Sequence, residues 1–125
     1  MATAVIIEDS PSDVQKALTV LGQLGIEEPD VFNRVDLALL YLQGVLDGAQ
    51  PVPDVIILDL AFPDESGFEV LRFLRTSKSL RCMRVIVWTC MGGLQKELCG
   101  YFGAEFVSKS AGVGEFERIV KAAAA

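Results

Sequence analysis

The sequence contains no histidine. That absence removes, within this chain, every histidine-based catalytic triad, histidine metal cluster and phosphohistidine carrier role. Cysteine is scarce. Cys82, Cys90 and Cys99 are odd in number and form no CxxC pair, so neither a zinc ribbon nor a disulfide framework is indicated, and reduced thiols are the expected state. Base is in deficit: 11 Lys and Arg stand against 17 Asp and Glu, a net charge of −6. A domain that grips nucleic-acid phosphates carries the opposite excess. No apolar run is longer than a strand, so no membrane span is expected. No charged-then-apolar leader opens the chain. These absences predict a soluble, cytoplasmic protein without direct nucleic-acid or membrane binding.

What is present suits an ordinary core. The 125 residues are 51% hydrophobic, enough for one domain over 1–125 and too few for two. Four apolar runs stand out: Ala4-Val5-Ile6-Ile7, Val55-Ile56-Ile57-Leu58, Val85-Ile86-Val87-Trp88 and Phe106-Val107. The first three are continuous, as in strands buried on both faces of a parallel sheet. Val31-Phe32-Asn33 is the least marked strand candidate.

Helical patterns lie between the runs. Ser10-Pro11-Ser12-Asp13 reads as a helix start, with Ser10 as N-cap and Asp13 completing a capping box. Gly22 and Gly25 mark the end of that helix. Further helices are expected over 36–46, Phe68 to Ser77, Leu94 to Phe102 (apolar at Leu94, Leu98 and Phe102), and around Val113, Phe116, Ile119 and Val120. Ala122 to Ala125 reads as a frayed helix end. The bases Arg72, Arg75, Lys78, Arg81 and Arg84 read as a solvated face and loop. Five βα units with short connections imply an α/β fold: a flavodoxin-like, doubly wound, five-stranded parallel sheet of order 2-1-3-4-5, helices on both faces.

Such a sheet binds ligands beyond the carboxyl ends of its strands. There the sequence places Glu8 and Asp9, Asp59, Thr89, and Ser108 with Lys109. Gathered carboxylates repel unless a cation sits among them. Lys109 supplies one positive charge, and a hard divalent ion such as Mg²⁺, which takes oxygen ligands, supplies the rest. Acids, a metal, an ammonium and a hydroxyl together suit phosphoryl chemistry, with a carboxylate as the nucleophile.

With these residues the chain resembles the response-regulator receiver domain of two-component signalling, from about Val5 to Val120. The match rests on Glu8-Asp9, on Asp59 followed by Pro63 and Gly67, on Thr89 and on Lys109. Each residue alone has an ordinary structural explanation, and the specific signal is all of them in order. The resemblance implies Asp59 as phosphoacceptor, with Thr89 and Lys109 contacting phosphoryl oxygens. It implies Mg²⁺ held by Asp9, Asp59 and the Ala61 carbonyl, with Glu8 acting mostly through metal-bound water. Thr89 and Phe106 take the family's switch positions. The implied partners are a sensor histidine kinase or phosphotransfer protein and a downstream target or output domain, with no output domain in this chain. Such a protein accepts a phosphoryl group, loses it at most slowly by itself, and is not a turnover enzyme. Oligomeric state stays open.

Three departures are visible. Ser110 stands where the family usually has Pro, often cis, after the Lys; a non-proline cis bond costs about 2.5–4 kcal/mol, so a trans bond with a rearranged loop or a strained exception is expected. Cys90 stands where Ala is usual, and its bulk is expected to narrow access to Asp59. Phe106 replaces the more frequent Tyr. Two rival readings remain: a non-phosphorylated receiver-like interaction module, opposed by the intact set of acids, Thr89 and Lys109, and a metal-dependent phosphatase, opposed by Leu60-Ala61, which leave no second acid two positions after Asp59.

Overall fold

The computed structural model describes residues 2–80, 82–90, 92 and 94–124. Arg81 of the basic run and Ala125 of the terminal run lie outside the described residues. The elements alternate along the chain: β1 (Ala4–Ile7), α1 (Pro11–Gln23), β2 (Asp30–Phe32), α2 (Val35–Leu46), β3 (Val55–Leu58), α3 (Phe68–Thr76), β4 (Arg84–Thr89), α4 (Leu94–Tyr101), β5 (Glu105–Ser108) and α5 (Val113–Ala124). All strand pairs are parallel, and the order is β2-β1-β3-β4-β5. The expected fold class is the observed one.

The continuous runs are explained by two cores. Residues alternate between faces along each strand. Ala4, Ile6, Val55, Ile57, Ile86 and Trp88 pack with α1 and α5, whereas Val5, Ile7, Ile56, Leu58 and Val87 pack with α2, α3 and Cys99 of α4. Every residue of β1 and β3 is buried. Trp88 stacks on Phe116 of α5, ring centroids 4.2 Å apart, which ties the end of β4 to that helix.

Helix α1 starts as its sequence predicts at Ser10, whose Oγ accepts from the Asp13 amide at 3.4 Å. The reciprocal half of the box is different: the Ser10 amide donates to Glu8 Oε2 (3.2 Å). Gly25, at φ 79°, ends the helix. Its amide donates to the Gly22 carbonyl and the Ile26 amide to that of Leu21, the paired bonds of a Schellman stop.

Two expectations are corrected. Leu94 and Leu98 of α4 do not face the core; they are 66% and 39% exposed, and Cys99 is the buried residue of this helix. Helical spacing alone does not say whether a stripe has a partner. The Ala-rich end is helical through Ala124, and Ala123 packs into the α1–α5 core. Alanine suits a helix that has a surface to lie on. No helix among the described residues is long and apolar enough to cross a membrane.

Candidate functional site

The carboxyl ends of β1 and β3 lie side by side, with Ile7 in register with Leu58. The residues that follow, Glu8, Asp9 and Asp59, therefore emerge together. One carboxylate oxygen from each lies within 4.8 Å of the others. Glu8 and Asp59 are buried. An all-oxygen donor set of this kind fits a hard divalent cation.

Lys109, just past β5, reaches into the same place. Its Nζ donates to Glu8 Oε1 (2.6 Å), Asp13 Oδ2 (2.8 Å) and Asp59 Oδ2 (2.9 Å). The ammonium also lies 5.3 Å from the centroid of the Trp88 ring. Four carboxylates thus gather around one lysine, and the crevice keeps an excess of negative charge.

The electrostatics follow from burial and pairing. Burial is the largest influence on Glu8 and pushes its carboxyl up to about 7; Lys109 opposes the rise and the Asp59 charge adds to it. Burial works against the Lys109 charge, but the bonds to Asp13, Glu8 and Asp59 outweigh it and hold the ammonium above the ordinary lysine range. Burial also works to raise Asp13, and there the Lys109 contact wins, leaving the carboxyl below its usual range.

Local structure fixes Asp59. Its Oδ1 accepts from the Ala61 amide at 3.1 Å, and Ala61 forms a bridge with Ser66 that folds the β3–α3 loop back. Gly67 closes this loop by pressing against the strand end. A Cβ there would lie 2.3 Å from the Asp59 carbonyl oxygen and 2.7 Å from Leu60 Cα. This is close approach, not φ, since Gly67 is right-handed at −61°.

Thr89 ends β4, fully buried and in register with Ser108. Phe106 lies on β5, half-buried, and packs into the core on the α2–α4 side rather than among the carboxylates. Cys90 is exposed. The Lys109–Ser110 bond is trans, since no cis bond occurs among the described residues. Lys109–Ala111 form one 3₁₀ turn, capped by Ser108 Oγ accepting from the Ser110 amide (3.2 Å).

Sequence reasoning missed two residues. Asp13 was assigned to helix capping, and only the fold brings it to Lys109. Glu65, in the β3–α3 loop, accepts from the amides of Val35 (3.0 Å) and Asp36 (3.2 Å). It thereby caps α2, whose own N-cap Arg34 makes no side-chain cap. A capping acid 30 residues away in sequence leaves no local signal.

No family model matches the sequence. Individual proteins do. The chemotaxis protein CheV1 of Helicobacter pylori is 27% identical over 121 residues, covering 94% of this chain and 36% of CheV1. A hybrid signal transduction histidine kinase of Dictyostelium discoideum is 30% identical over 76 residues, 61% of this chain and 5% of the kinase. The chain thus spans well under two-thirds of both relatives. Among solved structures, the bacteriophytochrome response regulator RtBRR is 28% identical, with a TM-score of 0.75 over 93% of this chain and 74% of RtBRR. The Mn²⁺-bound response regulator Rcp1 has the same fold at 24% identity, with a TM-score of 0.79 over 98% of this chain and 91% of Rcp1. Fold and sequence likeness agree on one class, the response-regulator receiver domain of two-component and chemotaxis systems.

Proposed function

We propose that this protein accepts a phosphoryl group on Asp59 from a histidine kinase or phosphotransfer protein. The observation that carries the reading is the single cluster of Glu8, Asp9, Asp59 and Lys109 at the carboxyl edge of the sheet. Asp9, Asp59 and the Ala61 carbonyl would hold Mg²⁺, with Glu8 engaged mostly through water. Bound there, the ion would neutralise charge on the transferring group.

An Asp59 carboxylate oxygen attacks phosphorus, a new P–O bond forms, and the donor's bond to phosphorus breaks. The donor keeps the bonding electron pair and takes up a proton. Lys109 and Thr89 each bond a phosphoryl oxygen. Drawing Thr89 toward the group opens room behind it, Phe106 packs inward, and the surface of α4, β5 and α5 changes for a downstream target or an output domain. Phosphorylation is thus a local charge event that biases a two-state element. The protein takes one phosphoryl group per cycle rather than turning over substrate, in a cytoplasmic setting.

Intact-mass measurement after incubation with Mg²⁺ and acetyl phosphate tests this. Wild type gains the mass of one phosphoryl group, and Asp59→Asn gains none. An unchanged wild-type mass, or undiminished labelling of Asp59→Asn, overturns the reading.

A further inference from the structure

We propose that Asp13 is a positioning residue: it parks the Lys109 ammonium and thereby sets how tightly the carboxylate cluster binds a divalent cation. The inference rests on the phosphoacceptor reading above and deepens it. Lys109 bonds three acids. Two of them, Glu8 and Asp59, belong to the trio of oxygens close enough to share a metal, and Asp13 does not. A cation among Glu8, Asp9 and Asp59 therefore contends with the ammonium for two of the same carboxylates. Of these three acids, Asp13 is the one that the cation leaves uncontested.

The placement of Asp13 suits that task. It sits in the first turn of α1, where Ser10 caps its amide and Pro11 opens the helix, so its backbone is fixed. Its side chain is only 18% exposed, and Lys16, its other ion-pair partner among the described residues, is 54% exposed and 3.7 Å away. An ion pair so shielded is held more firmly than a surface pair. Without Asp13 the ammonium would have only the cluster's own carboxylates among its present acid partners, and a cation would have to displace it from them.

A simple field effect makes a different prediction. If Asp13 merely added negative charge near the cation, its removal would weaken binding whether or not Lys109 were present. Mg²⁺ titration by calorimetry, which reads binding in both backgrounds, separates the two, with Asp59 phosphorylation by acetyl phosphate followed in parallel. Asp13→Asn should raise the Mg²⁺ Kd about tenfold, the size seen when partners that orient metal ligands are lost. Asp13→Glu should restore most of the affinity. In a Lys109→Met background, Asp13→Asn should change the Kd by less than about twofold. Wild-type affinity in Asp13→Asn overturns the proposal, as does an equal loss in both backgrounds. Asp13→Ser serves in the same comparisons if the Asn variant fails to fold. Failure of wild type to be labelled on Asp59 sinks the phosphoacceptor reading instead, whereas normal labelling with an inert Asp13 sinks only this inference.

Discussion

Lys109 and Trp88 meet across the β4–β5 edge, with the ammonium 5.3 Å from the centroid of the indole ring. Trp88 is the chain's only tryptophan. It is buried, and its Nε1 has no hydrogen-bond partner among the described residues. Its emission is therefore expected to respond when that ammonium moves.

Mg²⁺ should change Trp88 fluorescence saturably in wild type, because a cation among the carboxylates redistributes the bonds of Lys109. The response should be lost in Lys109→Met. A flat wild-type titration, or an unchanged response in Lys109→Met, would contradict this coupling.

Gly67→Ala should be among the most damaging small substitutions. The added methyl meets backbone at 2.3 Å and 2.7 Å, and backbone cannot step aside as a flexible side chain can. A loss of about 1–3 kcal/mol in urea unfolding is expected, as for other overpacking, with slower phosphorylation because the loop carrying Asp59 must shift.

Glu65→Ala removes the acceptor for two amides at the start of α2. The expected cost is about 1 kcal/mol. Hydrogen exchange should speed up at Val35 and Asp36 while α3 exchange stays unchanged. Equal exchange in both proteins would show that water replaces the cap at no cost.

Cys99 gives a dependence on alkaline pH. Burial pushes its thiol from the ordinary 9.0 up to about 11. Below pH 9 both folded and unfolded chains keep the proton, and the contribution is constant. Between pH 9 and 11 the unfolded chain releases it and the folded chain retains it, so stability falls as pH rises, by at most about 1.4 kcal/mol per pH unit. Urea unfolding of wild type against Cys99→Ala isolates this slope. In native alkylation, the exposed Cys82 and Cys90 should react and Cys99 should not.

The architecture was legible because buried parallel strands announce themselves. Ala4–Ile7 and Val55–Leu58 have no polar residue to obscure them, and the acids after them fall at the strand ends by chain order alone. Asp13 was not legible for its real contact. An acid three residues after a capping Ser looks the same whether it serves its own helix or a lysine 96 residues away. Glu65 was silent for the same reason of distance. The exposure of α4 was hidden because Leu94 and Leu98 keep helical spacing whether they are covered or bare.

That bare stripe has an energetic corollary. The cost of lifting a helix off a sheet is set largely by the apolar surface it would surrender to water. Helix α4 has Cys99 as its one buried residue, while each of the other four helices has at least three. Undocking α4 therefore surrenders the fewest buried residues of the five helices, and local opening should cost less there than at any other helix.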